Sequence, residues 1–197
     1  PNGACVIEAH FAIAGWASCV VLNCNPRLAA DELAYILDGA KCRIVVADPP
    51  HRRLLDEAAQ PDTVKVWFGS TYEEIATTAT VAERVVRGCD EAGAEMYYTS
   101  GTSGRPKGVV LSRRIVALHA LGCMIEHRLG ASDVWLHAAP MFHLVDAYAI
   151  FAITWVGGRH VTIPRFEAEA AVRAVAGNAV TVTNVASTMI TLVLVPP

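Results

Sequence analysis

Apolar and polar positions follow two periods in turn along the chain, which predicts alternating helices and strands. Leu33, Ile36 and Leu37 recur at i, i+3 and i+4, the spacing of one helical face. Short apolar runs at 42–47 and 134–138 have the length of buried strands. Strands that alternate with helices predict an α/β fold with mostly parallel sheets flanked by helices.

The other predicted elements repeat this pattern. Further helices are predicted over 7–17, 51–59, 147–156 and 167–175, and after the N-cap residue Ser112 as far as Gly130. Further strands are predicted over 19–22, 64–68, 96–99, 159–163 and 180–185. Residues 70–93 are more polar and show no clear period.

Two uncharged stretches, 11–22 and 147–158, are each twelve residues long. A membrane-spanning helix needs about 20 apolar residues, so both are interpreted as core segments. Glu8, and no basic region, precedes the first stretch, which argues against a secretory signal. We therefore expect a protein without transmembrane segments that resides in the cytoplasm.

Charge and cysteine content exclude several classes of protein. The chain of 197 residues has 19 acidic and 16 basic side chains, and a net charge of −3 gives no electrostatic footprint for nucleic acid. Its six cysteines form no C-x-x-C pair. They are interpreted as small buried hydrophobic residues of a reducing compartment, and not as a disulfide framework or a zinc site.

The segment 97–109, YYTSGTSGRPKGV, carries the clearest chemistry. Glycines let backbone N–H groups approach an anion and permit positive φ, and they occur at Gly101, Gly104 and Gly108. Hydroxyls can donate to phosphate oxygens, and four are available on Thr99, Ser100, Thr102 and Ser103. Lys107 adds a compact positive charge. The segment therefore predicts a loop that holds a polyphosphate, with a flexible surface turn as the alternative.

This loop differs from a Walker A loop, in which glycine directly precedes the lysine. Here Pro106 precedes Lys107 and Gly108 follows it. A P-loop ATPase or kinase is therefore disfavoured.

The longer stretch YYTSGTSGRPKGVVLS resembles the phosphate-loop signature of adenylate-forming enzymes, the superfamily of acyl-CoA synthetases and AMP ligases. LNCNPRLAADELAYIL, LHAAPMFHLVD and GGRHVTIPRFEAEAAVRAV resemble further segments of that family in the same order. The resemblance covers nearly the whole chain and is weakest over 60–95. It implies that 1–197 is part of the family's large N-terminal domain, with the phosphate loop at 98–108 and without the C-terminal domain.

The resemblance implies that a carboxylic acid reacts with ATP to give an acyl-adenylate, whose acyl group passes to coenzyme A with Mg²⁺ assisting. Residues 99–104 and Lys107 would hold the β- and γ-phosphates, and positioned donors and cations would neutralise charge on the departing pyrophosphate. Phe142 and His143 would lie beside the acid, so the catalytic candidates are Lys107 and His143. No residue is assigned to the metal.

The family resemblance also bears on the substrate. Amino-acid-activating members carry a Phe-Asp pair whose aspartate binds the substrate amine, whereas the matching pair here is Phe142-His143, with Asp146 three residues on. We therefore expect a fatty or aromatic acid. The apolar residues that follow, Val145, Ala147, Ala149 and Ile150, suit either an acyl pocket or plain helix core. His137 and Pro140 are interpreted as structural, and His160 shows no ligand spacing.

Other family motifs are absent, among them the tyrosine-glycine segment that contributes to adenine and Mg²⁺ binding and the catalytic lysine of the C-terminal domain. The chain begins and ends as if cut from a longer one, so we expect that 197 residues alone would not turn over. The alternatives are a truncated non-catalytic homologue that binds nucleotide or contacts a partner, and an adenylating enzyme that does not use coenzyme A.

Overall fold

A computed structural model describes residues 2–78, 89–99 and 104–195. Three sheets, each flanked by helices, make up the fold. The helices are α1 (Ala4–His10), α2 (Ala30–Gly39), α3 (Arg52–Ala58), α4 (Thr71–Thr78), α5 (Arg113–Glu126), α6 (Leu144–Val156), α7 (Ala168–Asn178) and α8 (Ser187–Leu194). A π-helical segment, Phe11–Trp16, continues α1, and a 3₁₀ turn, Pro49–His51, precedes α3.

The strands form one mixed and two parallel sheets. They are β1 (Val21–Asn23), β2 (Ile44–Ala47), β3 (Val64–Trp67), β4 (Gly93–Thr99), β5 (Lys107–Ser112), β6 (Val134–His137), β7 (Arg159–Thr162) and β8 (Val182–Thr183). In the order β1-β4-β5, β1 is parallel and β5 antiparallel to β4. β2 pairs with β3, and β6 lies between β7 and β8, all in parallel. The prediction of mostly parallel sheets flanked by helices is confirmed.

Three elements were not predicted: α4, β5 and α8. α4 lies within the polar stretch 70–93, which shows no clear period in the sequence. β5 follows directly from the Pro-Lys-Gly of the phosphate loop, and it is a strand because β4 supplies its antiparallel partner. α8 covers an apolar run that period alone does not assign to helix or strand.

Burial explains why α6 is so apolar. Its residues Ala147, Ala149, Ile150, Ala152 and Ile153 have no exposed surface. A helix that is apolar on all sides is a buried helix. It ends at Gly157, whose φ of 73° is the left-handed cap that glycine adopts without strain. Because α6 is fixed in the core, the turn that precedes it has a rigid support.

The interpretation of the cysteines as buried residues is wrong. All six are free, but Cys19 and Cys89 are exposed and the other four are only partly buried. Loss of hydration raises the pKa of the Cys24 thiol to about 12, which makes it an unreactive thiol.

Candidate functional site

The phosphate-loop segment forms the connection of the β4–β5 hairpin. Thr99 is the last residue of β4 and lies opposite Lys107, the first residue of β5. Directly opposite residues of an antiparallel pair present their side chains on the same face. Both residues are exposed. The structure therefore places one hydroxyl and one ammonium group on the same face of the hairpin, at the end where the loop connects its strands.

Four predicted phosphate ligands, Ser100, Gly101, Thr102 and Ser103, lie outside the described residues. Gly104, the next residue, has a φ of 145°, a backbone conformation that side-chain-bearing residues rarely adopt. Glycine is thus required at position 104 because the backbone there has a positive φ, which the sequence analysis named as one use of the loop glycines.

Gly108 is required for a different reason. It lies opposite Tyr98, and an added Cβ would stand 2.7 Å from Met96 Cε and 3.1 Å from two ring atoms of Tyr98. Its φ is not among the positive ones, so Gly108 does not use the positive φ that glycine permits. The glycine leaves room for the side chains of the neighbouring strand.

A tyrosine of α2 supports the exit of the loop. The Tyr35 hydroxyl donates to the carbonyl of Pro106 at 3.3 Å, and the Arg105 guanidinium lies 5.1 Å from the Tyr35 ring centroid. The Tyr98 ring meets Tyr35 edge-on at 6.5 Å. Three side chains thus connect the first sheet and its loop to α2, a contact that sequence reasoning missed.

The second pair of predicted site residues stands on another element. His143 is the N-cap residue of α6, and its carbonyl accepts hydrogen bonds from the backbone N–H groups of Asp146 and Ala147, both at 3.1 Å. Its ring centroid lies 4.4 Å from that of Phe142. Partial loss of hydration lowers the pKa of the His143 imidazole below its ordinary value. The exposed imidazole is therefore held at the start of a rigid helix.

Asp146 has a different place from the amine-binding aspartate considered above. It is completely buried in the first turn of α6. Its Oδ1 accepts from Trp135 Nε1 at 3.1 Å, and its Oδ2 lies 2.8 Å from His137 Nδ1. Because both carboxylate oxygens are engaged within the core, Asp146 is not available to a substrate amine.

His137 in turn contacts a second histidine, His160. The two rings stack at 5.2 Å, and His137 Nε2 lies 2.9 Å from His160 Nδ1. Burial, together with the neighbouring His137, lowers the pKa of His160 to about 4, so His160 is neutral near pH 7. The signal that could have found this network is the single aspartate in an otherwise apolar helix.

A further buried polar group lies beneath the hairpin. Glu95 on β4 is 1% exposed and accepts a hydrogen bond from the Tyr97 hydroxyl at 3.0 Å. His10 of α1, also 1% exposed, places Nε2 at 3.4 Å from Glu95 Oε1. Burial raises the pKa of Glu95 to about 7.

The structure separates the two interpretations of the apolar residues after His143. Ala147, Ala149 and Ile150 are helix core without exposed surface, whereas Val145 is 49% exposed. An apolar groove of about 320 Å³ lies instead along the last turns of α6, lined by Phe151 and Trp155 together with residues of the π-helical segment and α5. The three buried residues therefore belong to the core and do not line an acyl pocket.

Within residues 2–78, 89–99 and 104–195, no helix is long and apolar enough to cross a membrane. Nor do those residues contain a group of three histidine, cysteine or acidic side chains that could hold a metal ion.

Comparison with known proteins decides the family. Residues 1–196 match the sequence model of the AMP-binding enzymes. The chain belongs to the AMP-binding enzyme family. It is 35% identical to a long-chain-fatty-acid–CoA ligase of Thermus thermophilus over 90% of this chain and 34% of that protein. It is 27% identical to 4-hydroxybutyrate–CoA ligase 2 of Metallosphaera sedula over 82% of this chain and 32% of that protein.

Solved structures agree with this membership. The crystal structure of ATP-bound MatB from Rhodopseudomonas palustris matches all of this chain and 40% of its own, with a TM-score of 0.87 and 26% identity. This confirms the predicted fold class and the resemblance to adenylate-forming enzymes. The chain spans about a third of the length of these two curated relatives.

Proposed function

We propose that this protein serves ATP-dependent activation of a carboxylic acid to an acyl-adenylate, followed by thioester formation with coenzyme A. The observation that carries the proposal is the β4–β5 hairpin, which places Thr99 and Lys107 side by side at the end of the phosphate-loop segment. Relatives that are named CoA ligases support the reaction class.

The hairpin residues suit the phosphates of ATP. Thr99 offers a hydroxyl donor, Lys107 a positive charge, and Gly104 a backbone with a φ of 145°. Donors that are already in place need no reorganisation when charge develops on the leaving pyrophosphate. We assign Lys107 and Thr99 to the β- and γ-phosphates, together with Ser100, Gly101, Thr102, Ser103 and Gly104.

The turn before α6 suits the acid. Phe142 provides an apolar ring and His143 an imidazole that stays neutral near pH 7 because its pKa is lowered. Asp146, the nearest acidic side chain in sequence, has both oxygens engaged. We therefore propose a fatty or aromatic acid without an amino group, with coenzyme A as the thiol acceptor.

Nucleotide binding to the chain tests the phosphate assignment. In isothermal titration, ATP and pyrophosphate should bind, while AMP, which lacks the β- and γ-phosphates, should bind much more weakly. Lys107→Ala should weaken ATP binding about tenfold, because one charge-assisted hydrogen bond is lost. Lys65→Ala is the matched control, since Lys65 pairs with Asp56 at 2.6 Å on a different sheet.

Equal affinity for AMP and ATP, together with no effect of Lys107→Ala, would overturn the phosphate assignment. Product analysis of the complete reading frame with ATP, coenzyme A and acids of graded length tests the ligase reaction. Nucleotide binding without acyl-CoA from any acid would favour the non-catalytic nucleotide-binding module.

A further inference from the structure

The turn that ends in His143 is held from one side by Asn2. The Asn2 side-chain amide is buried and donates to the carbonyls of His137 at 3.0 Å and Ala139 at 2.8 Å. Its oxygen accepts from the backbone N–H of Met141 at 2.9 Å. Three hydrogen bonds from one side chain thus fix the backbone of the turn across more than 130 residues of sequence.

Asp146 holds the same turn from the other side. It belongs to the first turn of α6, and its carboxylate reaches back to the side chains of Trp135 and His137 on β6. The strand that enters the turn and the helix that leaves it are therefore joined by two buried hydrogen bonds. Neither end of the turn can move without breaking them.

The hydrogen bonds that link Thr154, His160 and His137 are compatible with one assignment of donors and acceptors. The Thr154 hydroxyl lies 2.7 Å from the carbonyl of Ile150, so its only hydrogen is used there. His160 Nε2, 2.9 Å from Thr154 Oγ1, must then donate, and His160 Nδ1 must accept from His137 Nε2. His137 Nε2 therefore carries a hydrogen, and the 2.8 Å contact between His137 Nδ1 and Asp146 Oδ2 completes the chain of hydrogen bonds.

This chain of donors gives Asp146 a defined partner. His137 and Asp146 form a fully buried pair, and such pairs persist when their geometry is good and their other polar atoms are satisfied. The Trp135 indole N–H and the His160 ring supply those remaining hydrogen bonds. The network therefore rigidifies the start of α6.

We propose that Asn2 and Asp146 are positioning residues for His143 and, through it, for the carboxylic acid. The inference rests on the proposed function, because it takes His143 as the residue beside the acid. Asn2 fixes the backbone that leads to His143, and Asp146 fixes the helix that His143 caps. Neither residue needs to touch the substrate.

The first test measures the pKa of His143 in the turn and does not depend on ligase activity. In ¹H–¹³C NMR titrations, the His143 imidazole of the wild-type chain should have a pKa below 6.5, and His143→Gln assigns the resonance. Asn2→Ala and Asp146→Asn should each move that pKa towards 6.5, since a loosened turn lets water reach the ring. Asn178→Ala is the matched control, because it removes a side-chain hydrogen bond to the Ala174 carbonyl at the end of α7.

The second test measures the KM for the acid. In the complete reading frame, both variants should raise the KM for the acid about tenfold, the effect of one lost buried hydrogen bond, and leave the KM for ATP unchanged. If Asn2→Ala does not fold, Asn2→Ser, which keeps a donor, replaces it and should give a smaller change of the same sign.

The outcomes separate the two proposals. An unmoved His143 titration in folded variants would overturn the positioning inference. A moved titration with an unchanged KM for the acid would leave His143 positioned as inferred but would remove it from the acid site, which contradicts the proposed function. Equal increases in the KM for acid and for ATP would show a general structural effect and would also overturn the inference.

Discussion

At the scale of single residues, the Glu95–His10 pair shows how burial decides protonation. His10 Nδ1 lies 2.7 Å from the Val6 carbonyl and must donate to it, so Nε2 is left as an acceptor. Within the described residues, neither His10 Nε2 nor Glu95 Oε1 has a hydrogen-bond partner. The 3.4 Å separation would also suit an ion pair, but burial raises the pKa of Glu95 and lowers that of His10. A protonated Glu95 that donates to His10 satisfies both atoms.

Glu95→Gln should therefore make stability less dependent on pH. The Glu95 pKa is about 7 in the folded protein against an ordinary 4.5, so its stabilising contribution is complete below pH 4.5 and is lost as pH rises through 7. Glutamine cannot ionise, and it keeps a donor for His10. At pH 8.5 the variant should be more stable by about 3 kcal/mol, since each pKa unit corresponds to about 1.4 kcal/mol.

Urea unfolding at pH 5.5 and 8.5 measures this difference. Any contribution of His10 has the opposite dependence and is present in both proteins, so it largely cancels from the comparison. Glu91→Gln is the control, because Glu91 is an exposed partner of Arg114. Parallel pH profiles of wild type and Glu95→Gln would contradict the protonated pair.

At the scale of elements, the β4–β5 hairpin carries the candidate phosphate site, and the fit between its strands controls that site. Gly108 lies against Met96 and Tyr98 of the neighbouring strand. Met96 Cε is the end of a flexible side chain and can move, whereas the Tyr98 ring is also packed against Tyr35. Little space is therefore available for any side chain at Gly108.

Gly108→Ala should lower the free energy of unfolding by about 1 kcal/mol, because overpacking shifts neighbouring groups. It should also weaken ATP binding, since Lys107 is the adjacent residue. Chemical unfolding and isothermal titration measure the two effects. Gly122→Ala in α5 is the control, because nothing lies within 4 Å of its added Cβ, and it should be neutral or stabilising by up to about 1 kcal/mol. A fully stable Gly108→Ala variant with normal ATP affinity would refute this account of the hairpin.

Elements with strong local signals were predicted well. In α2, the predicted apolar face is the one that is buried. Ser112 is the N-cap residue of α5, as predicted, and its hydroxyl accepts a hydrogen bond from the Ile115 N–H at 3.3 Å. β5 was missed because Val109 to Leu111 resemble the exit of a loop until β4 is beside them. The local sequence pattern therefore identified the elements that local interactions stabilise. It missed β5, which a strand distant from it in the pattern stabilises.

At the scale of the whole molecule, the chain is a third of the length of its curated relatives and has exposed apolar residues on α8. Ile190, Leu192 and Leu194 are 47%, 49% and 73% exposed. The alternative in which this chain serves as a nucleotide-binding or interaction module remains a distinct hypothesis. Acyl-CoA formation by the complete reading frame distinguishes this module from a ligase.

The chain of 197 residues should bind ATP but catalyse no acid-dependent exchange of pyrophosphate into ATP. Proximity and orientation supply much of the rate of an acyl transfer, and the family's tyrosine-glycine segment and C-terminal lysine are not in this sequence. Radiolabelled pyrophosphate exchange with a series of fatty and aromatic acids measures this. Clear acid-dependent exchange would refute the prediction.

The sequence by itself determined the family and the α/β alternation and predicted the phosphate-loop residues, because a long contiguous motif and short-range periodicity are both local features of the sequence. Only the tertiary structure decided what surrounds His143. Asn2 is separated by more than 130 residues from the turn that it holds. Asp146 contacts His137 only when β6 and α6 pack together. Hydrogen bonds between such distant residues depend on the folded backbone, and no local pattern encodes them.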